Sequence, residues 1–302
     1  MAGQANTLKT IFFALGANFG IFVAKLVAAF YTGSSAMLAE AVHSLADCGN
    51  QCLLLLGMKR AKRAPTPDYP LGYGKEIYFW SLLVALMLFS VGGAYSLYEG
   101  IHKLMHPSAL SRPWLAVGVL VFGIALESIS MQTCLVEVDK VREGRSLWRW
   151  FRESRSSELI VIFGEDLAAL LGLVFALIAV GLTMLTGEPI YDAAGTIAIG
   201  VLLMVVALFV AIEVKALLIG QSVAPLRRKE ICDFLESRPN IRKVHNVITL
   251  HLGSDILVAV KADMDPELRT GDLVARINAI ETDLRREFPD VRWSFFEPDD
   301  SD

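Results

Sequence analysis

The 302-residue chain is short of charge: Asp, Glu, Lys and Arg make up 20% of it, whereas 54% is hydrophobic. A soluble globule carries about 25% charged and about 45–50% apolar residues, so that class is excluded once the apolar residues fall into long runs. A basic excess is also missing, since the net charge is −4 and the pI near 5.8, which excludes nucleic acid as a partner. Cysteine is scarce, four in all, and this excludes a disulfide scaffold. Cys48 and Cys52 share one helical face, Cys134 lies in an apolar run and Cys232 in the polar tail, so all four are expected to serve packing. The first apolar run lacks a basic flank, a short core and a small-residue cleavage site, and therefore reads as a retained span, not a cleaved signal.

What is present is apolar sequence in blocks, with a mean hydropathy of +0.49. Six runs, at about 10–31, 36–58, 77–101, 114–138, 159–185 and 191–219, are each long enough to cross about 30 Å of hydrocarbon. The expected fold is a membrane α-helical bundle of six transmembrane helices over 1–220, followed by a small α+β cytoplasmic domain over 221–302. Lys59, Arg60, Lys62, Arg63 and Lys75 follow the second run, and Lys140, Arg142, Arg145, Arg149, Arg152 and Arg155 follow the fourth. By the positive-inside rule both stretches and both termini are cytoplasmic, with a bacterial inner membrane as the default setting.

The tail changes period. Pro225–Ser237 reads as a helix, Lys243–Leu252 as a strand, and Gly253–Ser254 as a tight turn into a second strand where Ile256, Val258 and Val260 alternate. Leu273–Phe288 has helical spacing and Val291–Glu297 is a last strand. An α-β-β-α-β order predicts an open sheet with helices on one face, thin-cored and prone to oligomerise.

Ionisable side chains inside membrane helices are costly and point to function. Glu40, His43 and Asp47, spaced i, i+3 and i+7 in the second run, share one helical face. An imidazole four residues before a carboxylate suits zinc and neighbouring metals; the alternative is a polar helix contact in which His43 simply bonds Asp47. The fourth run adds Glu127 and the fifth adds Glu165 and Asp166. These last two diverge by about 100°, so one is expected as a ligand and the other as a supporting or proton-carrying group. Lys25 either pairs with a carboxylate or snorkels outward. Asn18, Asn50 and Gln51 read as interhelical hydrogen-bond formers, Gly16 and Gly20 as a packing motif, and Asp192 as a helix-start residue. His102 and His106 read as isolated, solvated histidines of an external loop. No H-E-x-x-H motif is present, and Glu40 with His43 makes only half of a di-iron pattern, which argues against an enzyme.

Six helices, the H-x-x-x-D of His43 and Asp47, an aspartate in the fifth helix and the α-β-β-α-β tail together resemble the cation diffusion facilitator family of metal/proton antiporters. The resemblance rests on AKLVAAFYTGSSAMLAEAVHSLAD with Lys25 and Ser35, on PLGYGKE with Gly72, Tyr73 and Glu76, and on the final FFEP at Glu297 and Pro298. AEAVHSLADCGNQCLLLLG, GEDLAALLG and GEPIYDAAGTIAIGVLL look most like the divergent branch that includes a mitochondrial zinc transporter. The resemblance implies a proton-coupled exporter of a divalent cation, zinc first, with His43, Asp47 and Asp166 as ligands and no permanently bound cofactor. The family's second histidine or aspartate four positions before Asp166 is replaced by Ile162. Glu127 is the first choice for the fourth ligand, ahead of Glu165, Glu40 or water. Alternatives are manganese, iron, cobalt or cadmium as the ion, or a metal-sensing membrane protein that no longer transports.

The tail departs from the family too, because Phe295 stands where a regulatory metal-binding histidine would be. His245 and His251 are about 20 Å apart along a strand, too far to share an ion. The resemblance therefore implies a homodimer paired through this cytoplasmic domain, with the helices set in the lipid bilayer, while the departures at Phe295, His245 and His251 argue against regulatory metal in the tail without deciding it.

Overall fold

The computed structural model describes residues 2–107, 110, 112–142 and 144–301, and the side chains of all these except 2–14 and 17. The chain ends Met1 and Asp302, whose side of the membrane is predicted above, lie outside the described residues, as do the side chains at the start of the first apolar run. In chain order the elements are α1 (Ala2–Thr32), α2 (Ser35–Ala61), α3 (Glu76–Met87), α4 (Tyr95–Met105), α5 (Pro113–Val141), α6 (Leu147–Glu153), α7 (Ser157–Thr186), α8 (Ile190–Ile219), α9 (Pro225–Glu236), β1 (Ile241–Leu252), β2 (Asp255–Met264), α10 (Thr270–Glu287) and β3 (Val291–Pro298).

Two compact units result, one of 1–56, 80–150 and 158–214, the other of 57–79, 151–157 and 215–302. The first is helical. Among the described residues four helical segments are long and apolar enough to cross a membrane: Glu76–Met105, Pro113–Val141, Ser157–Thr186 and Ile190–Ile219. α1 contributes the apolar stretch Asn18–Thr32, and α2, though 27 residues long, is diluted by Glu40, His43, Asp47, Asn50 and Gln51. The helical unit turns large apolar side chains outward, Phe30 at 78% exposure and Leu185 at 86%, as a lipid-facing surface requires. Its interior gathers Ala28, Met37, Leu120, Leu173, Ile199 and Leu203.

α1 ends at Gly33, whose φ of +69° suits glycine, and the chain turns at once into α2. α3 and α4 are one continuous rod joined by a π-helical segment, Leu88–Ala94, in which Tyr95 N–H reaches back to Ser90 O. Glycines bring this rod against α8. A Cβ on Gly93 would stand 3.1 Å from Gly200 O, and one on Gly200 would stand 2.6 Å from Leu97 N. α6 lies within the basic stretch after α5, and the sequence did not show it; its Trp150 and Phe151 are buried while Trp148, Arg149 and Arg152 are exposed.

In the second unit, β1 and β2 form an antiparallel hairpin, and β3 runs parallel to β2 on its other side, giving an open mixed sheet in the order β1-β2-β3. Gly253, at φ +75°, makes the hairpin turn. Along β2, Ile256, Val258, Val260, Ala262 and Met264 are buried and pack with Ile231 and Leu235 of α9 and Ile280 and Leu284 of α10. The predicted elements are all found, with shifted edges. α10 begins three residues before Leu273, because its polar first turn, with Asp272 favourably placed at the helix start, carries no apolar signal. β1 begins at Ile241, with register slips at Arg242 and His245.

Candidate functional site

The densest polar cluster of the helical unit lies along α2. Its i, i+3, i+7 face holds Glu40 and His43, both fully buried, and Asp47, mostly buried. Neither ring nitrogen of His43 has a hydrogen-bond partner, and its Nδ1 stands 3.7 Å from Asp47 Oδ1, too long for a hydrogen bond. The polar-contact alternative, His43 bonded to Asp47, is therefore not what the geometry shows. The buried oxygens Glu40 Oε1, Asp47 Oδ1, Asn50 Oδ1 and Gln51 Oε1 are likewise without partners. A buried row with spare acceptors on one helix is an environment that a cation or protons would satisfy.

The neighbouring helices add charge. Lys25 of α1 does not snorkel: it is 1% exposed, 3.1 Å from Glu40 Oε2, and donates to Ser44 Oγ at 2.8 Å. Glu165 of α7 is buried and accepts from Asn50 Nδ2 at 2.5 Å. Asp166, one residue on, turns to α5 and accepts from Ser130 Oγ at 3.2 Å. The two adjacent carboxylates thus serve different helices, as their angular separation requires. Glu127 of α5 is partly buried. Ile162 is 37% exposed. Among the described residues no three His, Cys, Asp or Glu side chains already stand in a metal-holding arrangement.

Three features of the site were not read from the sequence. Ser130 holds Asp166; its position three residues after Glu127, on the same face of α5, was an available signal. Gly172 of α7 lies against Glu40, since a Cβ there would come within 2.4 Å of Oε1. The π-helical segment approaches His43, a Cβ on Gly92 standing 3.8 Å from Nδ1, and nothing in the apolar pattern marks it. Asp192 is a helix-start residue for two helices: in the first turn of α8, it also accepts from Ser34 Oγ and, at 2.9 Å, from Ser35 N–H at the start of α2. All four cysteines are free.

A family profile described as "Cation efflux transmembrane domain" matches residues 11–219, and one described as "Cation efflux protein, cytoplasmic domain" matches 224–293. The chain is 36% identical over 259 residues to "Proton-coupled zinc antiporter SLC30A9, mitochondrial" of Xenopus laevis, covering 85% of this chain and 46% of the relative. It is 31% identical to "Metal tolerance protein C4" of Arabidopsis thaliana, over 77% of this chain and 51% of the relative. It is 25% identical to "Cation-efflux pump FieF" of Escherichia coli O1:K1 / APEC, over 89% of this chain and 85% of the relative. The chain thus spans about half the length of the first two of these relatives.

Proposed function

This chain belongs to the cation efflux family, and from that premise we propose that it carries a divalent metal cation, zinc first, across the membrane in exchange for protons. It is a multi-pass integral membrane protein of a transporter family, not an enzyme. In this reading six helices cross the bilayer within 1–220, the tail 221–302 pairs two copies, and export runs away from the side of the basic connections. The relatives named for zinc antiport support the choice of ion and coupling.

One observation carries the reading: a fully buried imidazole, His43, with both nitrogens unpartnered, one helical turn from Asp47. Imidazole and carboxylates bind metal in their deprotonated forms, so metal entry displaces protons and metal exit invites them back. His43, Asp47 and Asp166 are the proposed ligands, and Glu127, three residues before the Ser130 that holds Asp166 and on the same face of α5, is the fourth. Asp166 would exchange Ser130 for the ion. Glu40 is held by Lys25 and Glu165 by Asn50, so both shape the field around the ion instead of binding it first.

The test is zinc affinity and flux in proteoliposomes for Glu127→Gln and Glu165→Gln, which keep size and remove charge. Glu127→Gln should lose affinity at least about tenfold, the order of effect expected for a lost ligand. Wild-type affinity in Glu127→Gln with loss in Glu165→Gln would move the fourth ligand to α7. Binding without flux in the unmodified protein would instead make it a metal sensor.

A further inference from the structure

A second set of possible ligands lies at the end of the helical unit where α1 ends and α2 begins. Glu99, His102 and His106 repeat the i, i+3, i+7 spacing of Glu40, His43 and Asp47, here on α4 and the residue that ends it. Far from being isolated, the two histidines stand with ring centroids 4.8 Å apart, and all three side chains line a cavity of about 320 Å³ together with Ser34, Ser35 and Lys103. We propose that this cavity is an outer binding site for the same divalent cation, with His102 and His106 as its nitrogen ligands and Glu99 as the carboxylate beside them. The inference rests on the transport reading for its ion, not for its geometry.

Three features carry it. First, His106 Nδ1 stands 3.3 Å from His102 O. A carbonyl only accepts, so the tautomer this approach favours carries its hydrogen on Nδ1 and leaves the Nε2 lone pair of His106 for a metal, the arrangement usual in metal-bound histidine. Second, the ring separation of 4.8 Å suits two imidazoles on one ion, although Glu99, His102 and His106 do not already stand in a metal-holding arrangement and Glu99 must turn toward the rings. Two imidazoles bound at about 2.0–2.1 Å and at a tetrahedral angle place their centroids about 5 Å apart. Third, the cation already in the cavity wall is paired there: Lys103 Nζ donates to Gly33 O at 2.6 Å and lies 3.9 Å from buried Asp192, whose charge offsets its own. Glu99, with one oxygen accepting from Ser35 Oγ at 3.2 Å, is the nearby acid whose charge can turn to an incoming ion. With two nitrogens and one carboxylate, the set suits zinc and its neighbours better than magnesium or calcium. Ser35 and His43 are eight residues apart on α2, so the cavity lies about 12 Å along the helix from the proposed transport site, a separation suited to handing an ion on.

Zinc alone is the probe, titrated onto the full chain in lipid nanodiscs. The variants are Asp47→Ala, to remove the transport site, the double variant His102→Ala/His106→Ala, and all three changes together. The double variant should bind one equivalent fewer than its parent in both backgrounds, and Glu99→Gln should weaken that equivalent about tenfold. An unchanged zinc count in the double variant overturns the outer site, whatever its flux. Wild-type flux of Asp47→Ala in sealed proteoliposomes, measured alongside the nanodisc titration, overturns the transport-site assignment and leaves the count at the outer site standing, so the two failures are distinguishable. The histidines are exposed at the helix end, and the circular dichroism of the double variant should match that of its parent.

Discussion

Replacing Lys25 by Met tests the electrostatic framework around the proposed ion site. Lys25 and Glu40 are 1% and 0% exposed and 3.1 Å apart. At an effective dielectric of about 20 their attraction is about 5 kcal/mol. Part of that is consumed in removing both charges from water, so the loss on breaking the pair is set mainly by the carboxylate left behind. Glu40 Oε1 already lacks a partner, and Gly172 crowds it, so little room exists for relief. Lys25→Met should therefore cost about 3–5 kcal/mol, and Glu40→Leu, which strands Lys25 with only Ser44, a similar amount. The double variant replaces a buried pair by apolar side chains and should lie within about 1 kcal/mol of the wild type, giving a coupling energy above about 2 kcal/mol. Reversible unfolding in mixed micelles, followed by tryptophan fluorescence, measures all three. Single losses below about 1 kcal/mol that simply add in the double variant would refute the pairing. Zinc affinity in the double variant separates the roles of Glu40: an unchanged value makes it a structural partner of Lys25, and a tenfold loss returns it to the ligands.

Other outcomes follow from packing and from the tail. Gly200→Ala drives a methyl group against the backbone of Leu97 and Gly93 and should destabilise the helical unit by about 1–3 kcal/mol, whereas Gly118→Ala, with open space around it, should be neutral or stabilise by up to about 1 kcal/mol; thermal unfolding of the full chain reads both. Burial, and then the neighbouring Arg155 guanidinium, hold the imidazole of His251 below its ordinary value of 6.5, so the folded tail binds this proton less readily than the unfolded chain. Its stabilising contribution is complete above that value and is lost as pH falls below it, so the protection factors of β1 amides, with the intrinsic pH dependence of exchange divided out, should fall from about pH 7 to about pH 5.5, and His251→Asn should remove most of that slope.

The tail was legible because its elements keep a clean period: β2 alternates from Ile256 to Met264, and Ile277, Ile280 and Leu284 mark one face of α10. The ionisable row on α2 was legible for the complementary reason, since charge inside an apolar run stands out against its surroundings. What sequence left open depended on which helices meet. Lys25 had two outcomes until α1 was seen beside Glu40, and Asp166 required α5 to supply Ser130. His102 and His106 looked isolated because the loop reading ignored their helical spacing. The π-helical segment and α6 carry no periodic signal at all, the first because Gly92 and Gly93 suit close approach in any helix, the second because seven residues are too few.

On the proposed function, a metal ion bound at His43 and Asp47 crosses in exchange for protons. The most direct measurement of this is zinc flux with simultaneous internal pH in proteoliposomes of the wild type and Asp47→Ala. Protons should move counter to zinc in the wild type, more slowly when the pH gradient is collapsed, and neither should move in a folded Asp47→Ala. Zinc flux in Asp47→Ala at the wild-type rate, or wild-type flux indifferent to the pH gradient and without proton movement, would contradict it.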